Sequence, residues 1–224
     1  MAEPSFGRAA DFSTAVLKCS WLNKKIVELV LARPHDFIFV PGQKILLCVD
    51  GISREYSIAS SPGADLVLCI RYVPEGAMSE RLARLKKGDV VEFSEAYGYF
   101  IHRPGSSIFI ATGTGASPFA SFVNTGVKDF IMLHGAECAA DLFYRNLFMA
   151  SARQYTPCLT SESSYNIDTY NAYSGRVTSY LAEILTGGPF DFYLCGNGSM
   201  IKDAVTIIDK KFTGSRIFTE TFFA

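Results

Sequence analysis

The stretch Ile108 to Phe119, IFIATGTGASPF, constrains this chain more than any other. Three apolar residues, Ile108 to Ile110, read as a short buried strand. Gly113, Thr114 and Gly115 then make a tight turn, and Ala116 to Phe122 start a helix. Pro118 falls in the first helical turn, where a missing N–H costs little. A strand, a glycine turn and a helix N-terminus in that order make an anion site, because backbone N–H groups and the helix dipole both favour a phosphate there. Glycines also let a ligand approach with no Cβ in the way. The pattern departs from the full dinucleotide fingerprint, since Pro118 stands where the third glycine would be. Taken alone it reads equally well as a plain strand-to-helix turn.

With 224 residues the chain is long enough for two modest domains. It is 49% hydrophobic and 19% charged, which is globular rather than disordered. A net charge of -1 gives no global pull toward nucleic acid or an anionic membrane. The apolar runs are strand-sized, so no membrane span is expected. The N-terminus MAEPSFGRAADF lacks an apolar core, which argues against a secretory signal, and cysteines that mostly sit in apolar strands read as core thiols of a cytoplasmic protein. The six cysteines, Cys19, Cys48, Cys69, Cys138, Cys158 and Cys195, form no CxxC pair. That spacing argues against zinc or an iron–sulfur cluster, and no metal is expected.

Before residue 100 the pattern is one of short strands. Thr14 to Ser20, Ile26 to Ala32, Lys44 to Val49, Glu55 to Ala59, Leu66 to Val73 and Val90 to Phe93 are apolar and β-branched, with glycine and proline between them. A helical piece, Ser79 to Leu85, lies between the last two. Six such strands predict an antiparallel barrel. After Arg103-Pro104-Gly105 strands alternate with helices. The strands are Ser107 to Ala111, Asp129 to His134, Thr156 to Thr160, Asp191 to Cys195 and Arg216 to Thr219. The helices are the Pro118 segment, Ala139 to Ala150, Val177 to Leu185 and Met200 to Phe212, and Ser161 to Ser174 reads as a polar loop. This predicts a five-stranded parallel, doubly wound sheet, with residues 1–103 and 104–224 as the two domains.

Three further segments carry candidate chemistry. In Arg54-Glu55-Tyr56-Ser57 an arginine suited to a pyrophosphate precedes, on the same strand face, a tyrosine that offers a flat ring. The same four residues also suit an exposed arginine beside a core tyrosine. Arg71-Tyr72-Val73-Pro74-Glu75-Gly76-Ala77-Met78-Ser79 is a strand end, a glycine turn and a serine able to cap a helix, hence a second anion site. Cys195-Gly196-Asn197-Gly198 ends a sheet strand, at the edge where open α/β sheets bind ligands. It is therefore expected to share a crevice with Gly113 to Gly115, although a lone cysteine there also suits a core thiol.

In this order the segments resemble the ferredoxin–NADP reductase superfamily over nearly the whole chain. Arg54, Tyr56 and Ser57 match its RxYS flavin motif, and Gly76 with Ser79 its GxxS diphosphate turn. Gly98 and Phe100 match the glycine and aromatic of its last barrel segment. Gly113 to Pro118 match its GTGxxP turn. His134-Gly135-Ala136 with Asp141-Leu142 resembles its GxR…DL segment, with Glu137 where arginine is common. Gly175-Arg176-Val177 matches its GRV turn, Cys195-Gly196 its CG, and Glu220-Thr221-Phe222-Phe223 its acid-then-aromatic end.

The resemblance implies a barrel that holds FAD and a second domain that holds NADH or NADPH. It puts Tyr56 against the isoalloxazine and Ser57 near its reactive nitrogen. It puts Arg54 and the turn Gly76, Ala77, Met78, Ser79 on the FAD pyrophosphate, and Arg71, Tyr72 and Val73 beside the ribityl chain and ring. Gly113, Thr114, Gly115, Ala116 and Pro118 would cradle the nicotinamide dinucleotide, with Ser161 and Glu162 beside its ribose and Cys195 and Gly196 at the nicotinamide. Ser57, Cys195 and Glu220 would be catalytic, and Phe223 would stack on the flavin. The implied activity is hydride transfer between NAD(P)H and FAD, then single-electron transfer to a separate protein, such as a ferredoxin, flavodoxin or oxygenase component. No fused iron–sulfur or haem domain is read. Reduction of free flavin or a small acceptor, or a role as electron-transfer subunit of a larger complex, also fits.

Overall fold

The computed structural model describes residues 10–161 and 172–221. Its first half is a six-stranded antiparallel barrel of β1 (Phe12–Trp21), β2 (Ile26–Leu31), β3 (Lys44–Val49), β4 (Ile52–Ser57), β5 (Leu66–Arg71) and β6 (Val90–Phe93), in the order β4-β3-β6-β1-β2-β5. An isolated bridge between Ile58 and Leu68 draws the two edge strands together, which limits the exposed edge. Alternate residues point inward, so Val27, Leu29, Leu31, Ile45, Leu47, Leu66, Leu68 and Phe93 fill the interior. Helix α1 (Ala77–Arg84) covers one end with Met78 and Leu82.

The second half is a parallel sheet of β7 (Ser107–Thr112), β8 (Ile131–Ala136), β9 (Gln154–Leu159), β10 (Tyr173–Ser174), β11 (Asp191–Gly196) and β12 (Arg216–Thr221), ordered β10-β9-β8-β7-β11-β12. It has six strands where five were expected. The extra one is Tyr173–Ser174, which pairs with Cys158 and Leu159 at the end of the segment read as a loop; two residues are too short to show a period. Helices α2 (Ser117–Asn124), α3 (Arg145–Ser151), α4 (Val177–Glu183) and α5 (Gly198–Lys211) complete the layers. The helix expected over Ala139 to Ala150 is broken into a 3-10 turn, Ala139–Asp141, and α3. Phe143 and Tyr144 break it by turning into the core; Tyr144 takes φ 61°, and its hydroxyl lies 3.1 Å from Cys69 Sγ of the barrel.

The two halves pack through one aromatic cluster. Phe100 stacks on Phe122 of α2 and meets Phe119 and Tyr193 edge-on. Gly42 lies beneath it, where a Cβ would stand 1.9 Å from the Phe100 carbonyl oxygen. Ser121 Oγ donates 2.7 Å to the Ser60 carbonyl, and Asn124 donates 3.1 Å to that of Ala59. At the rim, Lys25 pairs with Glu137 and Asp141. That orientation brings the end of β4 toward the ends of β11 and β12.

Candidate active site

On the barrel side, β4 exposes Arg54 and half-buries Tyr56, both on one face of the strand. Burial pushes the Tyr56 hydroxyl up to about 12, and the Arg54 guanidinium pulls against that. Arg54 donates 2.8 Å to the Ser53 carbonyl and leaves the rest of its fork to solvent. Ser57 is 3% exposed, and its Oγ has no hydrogen-bond partner. An orphaned buried hydroxyl is uncommon and is open to a bond from a ligand or an ordered water.

Arg71 ends β5 exposed, and Tyr72 meets Trp21 edge-on at 5.1 Å. The turn that follows is held by Ser79, which does not cap the helix as expected. Its Oγ accepts from the Val73 N–H at 3.1 Å and donates to the Val73 carbonyl at 3.0 Å, and Gly76 takes the cap position. A Cβ on Gly76 would lie 2.7 Å from Ser79 Oγ and 2.8 Å from the Val73 oxygen. Glycine and serine three apart are therefore one device that folds the turn. Ala77 stays exposed at the helix N-terminus, and Met78 anchors in the barrel core.

On the nucleotide side, Gly113–Ala116 form a 3-10 turn that runs directly into α2, with Pro118 near its start. Gly113 is exposed at φ 54° with open space around its missing Cβ. Gly115 is different: a Cβ there would stand 2.2 Å from the Cys195 carbonyl oxygen. Its close approach is to the chain itself, not to a ligand. Thr112 completes the join, since its Oγ1 accepts from the Asn197 N–H at 2.9 Å. The GTGASP and CG segments thus pack directly against each other. Thr114 is half-buried there, Ala116 is buried, and Gly196 takes φ 135°. Cys195 is fully buried, and burial, then the neighbouring Glu220, push its thiol well above the usual range.

Where the halves meet, Lys44 donates 2.8 Å to Glu220 Oε1 and 2.9 Å to Glu55 Oε2. Tyr97 donates 2.7 Å to the other Glu55 oxygen. Burial pulls the Lys44 ammonium down, but its bonds to Glu220 and Glu55 outweigh that and raise it overall. Lys44 is the cross-strand partner of Ser57, and Glu220 is the partner of Cys195. Cross-strand partners share a sheet face, so the three residues expected to be catalytic are gathered around one lysine. A cleft of about 540 Å³ opens there, lined by Lys44, Tyr97, Tyr99, Phe100, Phe218 and Glu220. Sequence reading missed Lys44 and Tyr97. Lys44 opens an apolar strand, KILLCV, and reads as a solvated strand end.

Ser161 ends the segment after β9, with its N–H donating 2.9 Å to the Glu137 carbonyl. Glu162, Phe222 and Phe223 lie outside the described residues. Among the described residues no group of His, Cys, Asp and Glu could hold a metal ion, and no helix is long and apolar enough to cross a membrane.

The residues present fit a flavin dinucleotide: an orphaned hydroxyl next in sequence to a half-buried tyrosine, an exposed guanidinium and an exposed helix N-terminus. Comparison with known proteins agrees. Residues 18–102 match the oxidoreductase FAD-binding domain and residues 109–206 the oxidoreductase NAD-binding domain. The flavodoxin/ferredoxin–NADP reductase of Escherichia coli (strain K12) is 33% identical over 190 residues, 74% of this chain and 77% of its own. The xylene/toluene monooxygenase electron transfer component XylA of Pseudomonas putida is 28% identical over 214 residues, 88% of this chain and 61% of that one. A ferredoxin NADP+ reductase from Neisseria gonorrhoeae, solved with FAD and NADP, matches the fold with TM-score 0.82 at 21% identity, over 96% of this chain and 100% of that one. Two cofactor domains in sequence and a one-third identity across most of both chains establish that this chain belongs to the ferredoxin–NADP reductase superfamily, as an NAD(P)H-dependent FAD oxidoreductase.

Proposed function

We propose that this chain passes electrons singly to a separate small redox protein, a ferredoxin, flavodoxin or oxygenase component, and that nicotinamide meets flavin at the Lys44–Glu220 cleft. FAD, when bound, supplies the conversion of a two-electron hydride into one-electron steps. The residues supply approach geometry and charge. Tyr56 offers a ring face to the isoalloxazine, and Ser57 gives its unpartnered hydroxyl to the flavin edge. Arg54 and the Gly76 to Ser79 turn, through Ala77 and Met78, hold the diphosphate by charge and by the α1 N-terminus. Arg71, Tyr72 and Val73 run beside the ribityl chain. Gly113 to Ala116 and Pro118 carry the nicotinamide dinucleotide, while Ser161 and Glu162 read its ribose. Cys195 and Gly196 form the floor under the nicotinamide, and Glu220 stands at the point of proton exchange. The flavin face opposite Tyr56 is the place the family resemblance gives to Phe223, which lies outside the described residues. The two domains divide between residues 103 and 104, in the connection from Phe93 to Ser107. Six free thiols support work in the reducing cytoplasm.

One observation carries this reading. Ser57 and Cys195, from different halves of the chain, are joined through their strand partners Lys44 and Glu220. Heat release followed by chromatography should recover FAD; FMN alone, or no flavin after reconstitution, overturns the diphosphate assignment. Reduction of ferricyanide by NADH and NADPH, then of purified ferredoxin and flavodoxin, tests the acceptor class. Tyr56→Ala should weaken FAD binding by about 1 kcal/mol through lost ring contact, read by fluorescence titration.

A further inference from the structure

We propose that Lys44 is a positioning residue of the reaction centre: held between Glu55 and Glu220, its ammonium fixes the end of β12 against the barrel and sets the charge beside the flavin site. This rests on the roles given above to Ser57, Cys195 and Glu220. The backbone of Lys44 is clamped on both sides. It pairs with Ser57 across β3 and β4, and it exchanges N–H···O bonds of 2.9 Å in both directions with Tyr97. Ile45 and Leu47 alternate with it and fill the barrel core, so the lysine must point outward. There it meets β12, with side-chain exposures of 14% for Lys44 and 10% for Glu220. The Tyr97 ring lies below the ammonium, 5.6 Å from centroid to Nζ.

Stability does not account for such a cluster. Desolvating three charges costs about what their attraction returns, and apolar residues fill the same space as well. A position or a charge is what the arrangement provides. The groups that face the ammonium are Glu55 from β4, Tyr97 from the loop after β6, Cys195 from β11 and Glu220 from β12. With one cation and two carboxylates, removing the cation leaves two like charges in a half-dry site. One of them then takes a proton more readily. Below that new ionisation the site keeps its net charge. Above it both carboxylates ionise, and the electron-accepting site beside them becomes more negative by one charge.

The test compares holoenzymes of wild type, Lys44→Met, Lys44→Arg, Glu220→Gln and Lys44→Met/Glu220→Gln. The readouts are the flavin midpoint potential and the pH profile of stopped-flow flavin reduction. Measured above the new ionisation, Lys44→Met should lower the potential by at least a tenfold change in the equilibrium constant, about 30 mV for two electrons. Its pH profile should gain an ionisation that Glu220→Gln removes in the double variant, and Lys44→Arg should restore both. An unchanged potential and pH profile in Lys44→Met overturns the proposal, and slowed reduction in Glu220→Gln then shows the Glu220 role standing without it. Normal reduction in Glu220→Gln sinks the Glu220 role instead, and the potential of Lys44→Met still decides the charge that Lys44 sets. Should Lys44→Met fail to fold, Lys44→Gln/Glu55→Gln against Glu55→Gln isolates the ammonium by the same potential measurement.

Discussion

Gly113 and Gly115 stand two residues apart and are glycines for different reasons. Gly113 has room for a side chain but a φ of 54°, so Gly113→Ala should cost about 1 kcal/mol of left-handed strain. Gly115 has no room at all, since the Cys195 carbonyl oxygen occupies the place of a Cβ. Gly115→Ala should cost about 3 kcal/mol, because backbone cannot yield as a side-chain tip does. Urea unfolding of the two variants reads the difference, and equal losses would refute the distinction. Ser161 supports a second prediction at this scale. Its backbone is fixed to Glu137, and Glu162 follows it. If Glu162 lines the ribose as proposed, its carboxylate would accept ribose hydroxyls and repel a 2′-phosphate, so NADH should serve at least as well as NADPH. A tenfold or larger preference for NADPH in kcat/KM, about 1.4 kcal/mol, defeats that expectation. Ser161→Arg should shift the ratio toward NADPH.

Among the elements, β8 carries a titratable group inside the core. His134 is fully buried, with Nδ1 3.0 Å from the Tyr155 hydroxyl and no partner for Nε2. Phe143 and Phe148 meet its ring edge-on. Burial lowers it to about 3, against about 6.5 in an unfolded chain. Between those values the unfolded state binds a proton and the folded state does not. Stability from this residue is therefore complete above about pH 6.5 and is lost as pH falls toward 3, at up to roughly 1.4 kcal/mol per pH unit. His134→Phe should flatten that stretch of the stability–pH curve. An unchanged slope in urea titrations from pH 7 to 4 would show that other groups carry it.

At the scale of the whole molecule, the buried aromatic contact between the two sheets should outweigh the exposed ion pairs at their rim. Phe122 is fully buried against Phe100, Phe119 and Tyr193. Phe122→Ala should cost about 3 to 5 kcal/mol and split a single unfolding transition into two. Lys25 pairs across the same interface, but its side chain is 55% exposed. Lys25→Ala should cost less than about 1 kcal/mol and leave one transition. Calorimetry distinguishes the outcomes, and a reversed ranking would mean that the rim charges hold the halves together.

Local chemistry made the elements legible. Alternating apolar residues, the Pro41-Gly42 and Pro104-Gly105 breaks, and the GTGASP turn are short-range signals, because strand and turn preferences act over a few residues. They were enough for the antiparallel barrel, the parallel sheet and the glycine turns. The two-residue β10 strand and the break before α3 were not, since neighbours distant in sequence impose them: Cys158 and Leu159 on one, Cys69 and the aromatic core on the other. The tertiary structure alone also decided that Gly115 serves strand packing and that Ser79 folds a turn. It alone put Lys44 between Glu55 and Glu220, a contact across 176 residues to its farther partner. A lysine at a strand end carries no mark of its partner, because an ion pair depends on distance in space and not on spacing along the chain.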